Sequence, residues 1–443
     1  EQLYRAFHAR ASDLGPAEYD NSALIGELLA LRQEHARLLQ FGDFAQLSLA
    51  TKMARTPQQV LQFLRDLAAR SRTQARADLD ELRAFACTQL GIETLMPWDY
   101  RFVAERLRER RFAFSEQEVK RYFTFERVRD GLFGLVETLF ELRIAPDHAP
   151  VWHDSVRVYR IERDGALVGQ FYLDPFSRAG KRPGAWMHDA RSRWRRPEGA
   201  HRLQTPVAYL VCNFAPPLPG RDALLTHQDV VTLFHEFGHG LHHMLTRVDD
   251  LAVAGIAGVE WDAVELPSQF MENFCWEWEV LPRLSAHADD GSPLPRALFD
   301  KVVAARHFHS ALEMLRQVQY ALFDMRVHHE PDAAQAISRV LDEVHAEVSV
   351  LDLDPAQRLA HSFSHIFAGG YGAGYYSYKW AEVLSADAYS AFEERGVFDL
   401  DTGRRYRREI LEVGGSRDAL DSFKAFRGRE PSIAALLRHQ GIA

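Results

Sequence analysis

Hydrophobic positions recur at helical spacing over most of this chain and switch to strict alternation in one stretch. Asp20-Asn21-Ser22 opens a helical pattern carrying Leu24, Ile25, Leu28, Leu31, His35 and Leu38. Thr56-Pro57 opens a longer one, with proline tolerated in the first turn, through Val60, Leu64, Leu67, Leu79, Leu82 and Phe85 towards Gly91. Ser115-Glu116-Gln117-Glu118 reads as a capping box, and the pattern behind it ends near Leu142, stopped by Pro146. After Pro282 helical spacing resumes, over 298–326 and 334–350. Charged faces such as Arg106 to Arg111 read as solvated surface. Between Val151 and Phe214 the period is two. Val156, Val158 and Ile161 alternate, Asp164-Gly165 marks a turn, and Leu167 to Leu173 returns as a second strand. Thr205 to Phe214 is the third. The fold class expected is mainly α, a large helical body with a small β-sheet beside a helix that begins near Thr226.

That helix has its own start signal. Thr226 and Asp229 form a capping box, and Val230, Phe234, Phe237, Leu241 and Leu245 give it an apolar face. Inside it lies His235-Glu236-Phe237-Gly238-His239. Two imidazoles four residues apart share one helix face, a spacing that suits adjacent corners of a zinc tetrahedron, with a carboxylate beside the first. Gly238 is a poor helix former but lets a metal or another backbone come close. A solvated, histidine-rich helix would also account for the pentapeptide, since His242 and His243 follow directly. A third ligand separates the two readings. After a connection containing Gly255 and Gly258, a second helical pattern opens at Trp261, and Glu265, 26 residues past His239, is placed to supply that ligand. Asp262, Gln269 and Glu272 are candidates to orient the ligands.

Composition narrows the partners. The formal net charge of −9 argues against nucleic acid or an anionic membrane as the main partner. No run of about 18 apolar residues is present. Cys87, Cys212 and Cys275 are odd in number and scattered, which fits buried small hydrophobes in a reducing, cytoplasmic setting. His307 with His309 and His328 with His329 are too close in sequence to chelate together from a helix. With no repeat, low-complexity tract or linker, residues 1–150 read as a helical scaffold and 151–443 as the region carrying the chemistry, in one continuous body.

The run His235-Glu236-Phe237-Gly238-His239-Gly240-Leu241-His242, followed by Glu265-Leu266-Pro267-Ser268-Gln269-Phe270-Met271-Glu272-Asn273, resembles the thimet oligopeptidase family of zinc peptidases. The resemblance extends through nearly the whole chain and implies a zincin-type body. It implies one Zn2+ per chain on His235, His239 and Glu265, with Glu236 as general base. Members normally carry a further helical region N-terminal to this point, so a chain opening Glu1-Gln2-Leu3 is expected to be a fragment or processed form.

Near the other end, His365 to Trp380 holds four glycines within six positions (369, 370, 372, 374), which indicates a mobile loop leading into a helix dense in tyrosine. A dinucleotide fingerprint fails on spacing. Tyr376 and Tyr389 read as packing groups. By resemblance the family has a Gly-Gly-Tyr-x-x-x-Tyr-Tyr-x-Tyr pattern beside its zinc. That implies an oxyanion donor at Tyr378 with Tyr371, and substrate contacts from His365, Tyr375, Gly369 and Gly370. The function expected is endopeptidase cleavage of short unstructured peptides by a monomer, the strand region near Gly184-Ala185-Trp186 offering an edge for an extended peptide. Dipeptidyl carboxypeptidase action and an inactive peptide-binding fragment remain the alternatives.

Overall fold

The structure, a computed structural model, describes residues 1–112, 115–198, 202–332 and 336–442. It is mainly helical with one five-stranded sheet and a two-stranded ribbon. Two compact units are each built from separated stretches. One comprises Glu1–Ala113, Ala304–Trp380 and Leu437–Ala443; the other comprises Phe114–Val303 and Ala381–Leu436.

In the first unit the helix Pro57–Leu90 runs as expected. The Thr56 hydroxyl accepts the Gln59 amide at its start, and Gly91 ends it at a φ of +67°. Its buried stripe includes Val60, Leu64, Leu67, Leu79 and Leu82. The helix Ser22–Leu38 departs from expectation. Ile25, Leu29 and Ala36 are buried, while Leu24, Leu31 and Leu38 are 54–75% exposed. This helix has two apolar rows about a third of a turn apart, and spacing alone does not choose between them. The pattern over 298–326 also splits, into Arg296–Arg306, most of whose residues belong to the second unit, and Ser310–His329, because His309 adopts a φ of 55°. Of the pattern over 334–350, Ala334 lies outside the described residues, and a helix covers Ile337–Val348.

In the second unit the strands are β1 (Arg143–Asp147), β2 (Arg157–Arg163), β3 (Ala166–Phe176), β4 (Trp186–Arg191), β5 (Trp194–Arg195), β6 (Leu203–Gln204) and β7 (Val207–Phe214). The main sheet has the order β1-β2-β3-β7-β4, with β3 and β7 parallel and the other pairs antiparallel. Asp164 and Gly165 both take positive φ and close the β2–β3 hairpin. The helix His227–Met244 lies against this sheet, so closely that a Cβ on Gly240 would stand 2.9 Å from Leu210. Phe237 packs edge-on to Phe171 and against Phe133, ring centres 5.4 and 5.7 Å apart.

The single helix expected behind Ser115 is two. Glu116–Lys120 ends in a turn, and Phe125–Phe140 restarts with the Thr124 hydroxyl accepting the Arg127 amide. Thr124 pairs with Leu224 in a bridge, which pulls the backbone out of helical geometry between the two pieces. Pro146 does not stop a helix either. The helix ends at Glu141 with φ 55°, and Pro146 sits within edge strand β1, where a missing N–H is tolerated.

Candidate metal centre

The helix His227–Met244 begins with the full capping box: Asp229 N–H donates to the Thr226 hydroxyl at 3.1 Å, and Thr226 N–H donates to Asp229 Oδ2 at 2.8 Å. This fixes its phase, and with it His235 and His239 on one face. Glu265 arrives from the turn-rich connection that follows. The second helix begins at Leu266 rather than near Trp261, because Pro267 is compatible only with a first turn. Glu265 Oε2 stands 3.3 Å from His235 Nε2 and 3.1 Å from His239 Nε2. Ligands about 2.0–2.1 Å from a tetrahedral centre lie about 3.3–3.4 Å apart, so this donor set fits a small divalent cation. Gly238 lets the two helices meet. A Cβ there would fall 2.4 Å from the Pro267 carbonyl oxygen, so the close neighbour is backbone.

The remaining atoms of the ligands are held from outside. Of the three orienting candidates, Glu272 bonds a ligand: its Oε1 accepts from His235 Nδ1 at 2.6 Å, which turns Nε2 to the cluster. Ser268, three residues beyond Glu265 on the same helix face, donates to Glu265 Oε2 at 2.9 Å and was not singled out by the sequence. Burial opposes charge on His235, but hydrogen bonds to Glu265 and Glu272 carry its pKa up to about 10. Burial likewise opposes the charge of Glu265, and the two histidines pull its pKa well below the carboxylate range. Glu236 is 4% exposed, and its Oε2 has no hydrogen-bond partner among the described residues. Burial raises its pKa, against the pull of His235 and His239.

The rest of the helix is not a solvated histidine tract. His242 and His243 are 4% and 0% exposed, and burial lowers His242 to about 3. His243 Nε2 lies 3.0 Å from the Arg191 carbonyl at the end of β4, a contact between the ligand helix and that strand. Asp249, just past the helix, accepts from Arg193 and Arg195 at 2.7 and 2.6 Å. At the other end of β4, Asn213 donates to the Arg182 and Gly184 carbonyls. Lys181 donates to the carbonyls of Asp174, Phe176 and Cys212. Strand β4, which begins at Trp186 as an edge, is therefore tied at both ends within this unit.

The aromatic candidates gather in the first unit. Tyr371 stacks on Tyr378 at 5.1 Å, Tyr375 meets Tyr378 at 5.4 Å, and His365 lies 5.9 Å from Tyr375 and 6.2 Å from Tyr371. Tyr375 donates to Gln317 Oε1 at 3.0 Å, and burial raises its pKa to about 12. Gly370 takes φ +82°, and a Cβ on Gly369 would meet the His365 carbonyl at 3.0 Å, so both glycines serve a tight turn. Tyr376 and Tyr389 are 0% and 1% exposed.

A histidine pair on one helix, a carboxylate at the start of the next and a buried glutamate beside them, on a mainly helical body with a small sheet, form a candidate divalent-metal centre. The chain belongs to peptidase family M3, whose profile matches residues 1–442. It is 49% identical over 448 residues to oligopeptidase A of Escherichia coli (strain K12), covering 100% of this chain and 66% of that protein. It is 35% identical over 429 residues to dipeptidyl carboxypeptidase of the same organism, covering 96% and 62%. The chain thus spans about two-thirds of the length of these relatives. A solved Pyrococcus furiosus carboxypeptidase shares the fold with a TM-score of 0.55 at 12% identity, covering all of this chain and 78% of that one. Among the described residues no helix is long and apolar enough to cross a membrane.

Proposed function

We propose that the chain carries the chemistry of a zinc-dependent endopeptidase acting on short unstructured peptides. The observation that carries this reading is the convergence of His235 Nε2, His239 Nε2 and Glu265 Oε2 within 4.8 Å of one another, with Glu236 buried on the same helix. A zinc ion bound there supplies Lewis acidity, acidifying water and polarising a carbonyl. Glu236 takes the proton of the attacking water and passes it to the leaving amine. Glu272 and Ser268 hold the ligand side chains in register. Strand β4 offers main-chain donors and acceptors along which an extended peptide pairs without regard to its sequence. By residue-by-residue match to the family pattern, Tyr378, with Tyr371, donates to the developing oxyanion, and His365, Tyr375, Gly369 and Gly370 contact substrate.

Dipeptidyl carboxypeptidase action is the second reading, favoured by the 35% identity to a relative of that name. A peptide digest followed by mass spectrometry, with and without zinc, separates the outcomes. Internal cuts that require zinc support the endopeptidase; successive C-terminal dipeptides support the second reading. No cleavage by the zinc-loaded chain leaves only peptide binding.

A further inference from the structure

The Gly-Tyr loop is built around a buried carboxylate on another helix of the same unit. Asp324, on Ser310–His329, has a fully buried side chain. Its Oδ1 accepts the Ala373 amide at 2.9 Å, and its Oδ2 accepts the amides of Gly374 and Tyr375, both at 2.9 Å. Three successive N–H groups turned to one anion form a backbone nest. The nest explains why Ala373 holds a φ of 48°, a conformation costly for a residue with a Cβ.

The carboxylate is in turn part of a relay. His328, one turn on, is equally buried; its Nδ1 lies 2.8 Å from the Asp324 carbonyl and 3.0 Å from Oδ1. Arg32 Nη1 approaches His328 Nε2 at 2.7 Å. A guanidinium only donates, so Nε2 accepts and the ring's proton sits on Nδ1, facing Asp324. Arg32 also donates to the Ile366 carbonyl at 2.8 Å, and a Cβ on Gly372 would meet its Nη1 at 2.8 Å. Ser48 donates to the Gly372 carbonyl at 2.9 Å. On the same helix, seven residues before Asp324, Gln317 accepts the Tyr375 hydroxyl. One helix therefore holds the loop by its backbone and by one of its rings.

The geometry assigns Asp324, through His328 and Arg32, as a positioning residue for the tyrosines of the Gly-Tyr loop. This rests on the peptidase reading above, in which that loop meets the reacting carbonyl. An Asp that merely fills space would be replaceable by Asn. One that organises the nest would not be, because the Asn amide presents N–H where two backbone N–H groups already point.

The test is a double-mutant cycle on zinc-loaded full chain, with Asp324→Asn, Tyr378→Phe and the pair, alongside hydrogen exchange at 373–375. The expected result for Asp324→Asn is zinc content as in wild type, exchange at those amides accelerated at least about tenfold, and kcat lowered about 10²-fold with a small change in KM. Tyr378→Phe should then cost much less in the Asp324→Asn background than in wild type, since a displaced hydroxyl has little left to lose. Equal costs in both backgrounds, or unchanged exchange, overturn the assignment. Should Asp324→Asn not fold, Arg32→Gln tests the far end of the relay, with faster exchange at the same amides expected and unchanged exchange refuting it. Failure of the peptidase reading looks different: wild type itself then cleaves nothing, whatever the exchange data show.

Discussion

The ligand helix and the Gly-Tyr loop supply the two sets of candidate residues, and they are held in place by different means. His235, Glu236 and His239 stand on one regular helix whose start is fixed by its own capping box and whose back is packed on the sheet. Their mutual geometry follows from helical spacing, and only Glu265, Ser268 and Glu272 must come from the next element. The loop has no such internal regularity. Its shape is set by Asp324, Arg32 and Ser48, 49 to 334 positions away in sequence from the groups they hold. A site on a regular element carries its geometry with it; a site on a loop borrows geometry from distant parts of the chain.

The largest effect expected is from the rigid side. Glu236→Gln should leave zinc content near one per chain and reduce turnover by about 10²–10⁴-fold, the worth of a general base. Substantial residual turnover of a quenched peptide would remove Glu236 from its role. On the loop side, Tyr378→Phe should lower kcat about 10²–10³-fold with KM nearly unchanged, the cost of one oxyanion donor. Tyr376→Phe, on the neighbouring buried ring, is the control, and equal effects would mean general disturbance. Gly238→Ala would drive a Cβ into the Pro267 carbonyl at 2.4 Å, against backbone that has no side-chain freedom to yield. It should cost about 1–3 kcal/mol in thermal or denaturant unfolding and loosen zinc as Glu265 is pushed away. Glu272→Ala should weaken zinc about 10–100-fold by metal titration, much less than Glu265→Ala, which removes a ligand. If Glu272→Ala proved the more damaging, the third ligand would be misassigned. The smallest effect belongs to Gly372→Ala, whose new Cβ meets the end of the Arg32 side chain. The obstacle is a side chain rather than backbone, but one already held by His328 and the Ile366 carbonyl, so about 1–2 kcal/mol is expected, and a cost equal to that at Gly238 would erase the contrast drawn between the two regions.

The same contrast accounts for what could be read from the sequence. The helix Pro57–Leu90, the Asp164-Gly165 hairpin and the ligand helix each announce themselves within a few residues, through a cap, a turn or a period. The distance of Glu265 from His239 and the family resemblance point to it as a ligand, while the helix start beside it is marked by Pro267 rather than by Trp261. The break at Thr124 was invisible because its cause, pairing with Leu224, lies a hundred positions on. The two apolar rows of Ser22–Leu38 are equally regular, and only tertiary packing selects Ile25 and Leu29 over Leu24 and Leu31. Asp324 carries no local signal of its role, since nothing near it in sequence reveals the amides it accepts, and His328 reads only as half of a histidine pair too close to chelate.

The two rims of the five-stranded sheet bear on how the molecule behaves at high concentration. A bare sheet rim invites other chains to zip on, and the rims here are defended differently. Strand β1 carries Pro146, whose missing N–H interrupts a continuous ladder. On the opposite rim, β7 is the only partner of β4 among the described residues. Its run His188-Asp189-Ala190-Arg191 is exposed and carries charge, with the Arg191 guanidinium turned back to the Thr205 carbonyl. A lone flexible strand can align there briefly and leave, whereas in-register fibrous stacking of whole molecules meets repeated like charges. The proposed docking of a peptide on β4 and a defence against self-association therefore do not exclude one another. Neutralising Asp189 would test this by light scattering, with increased self-association as the expected result.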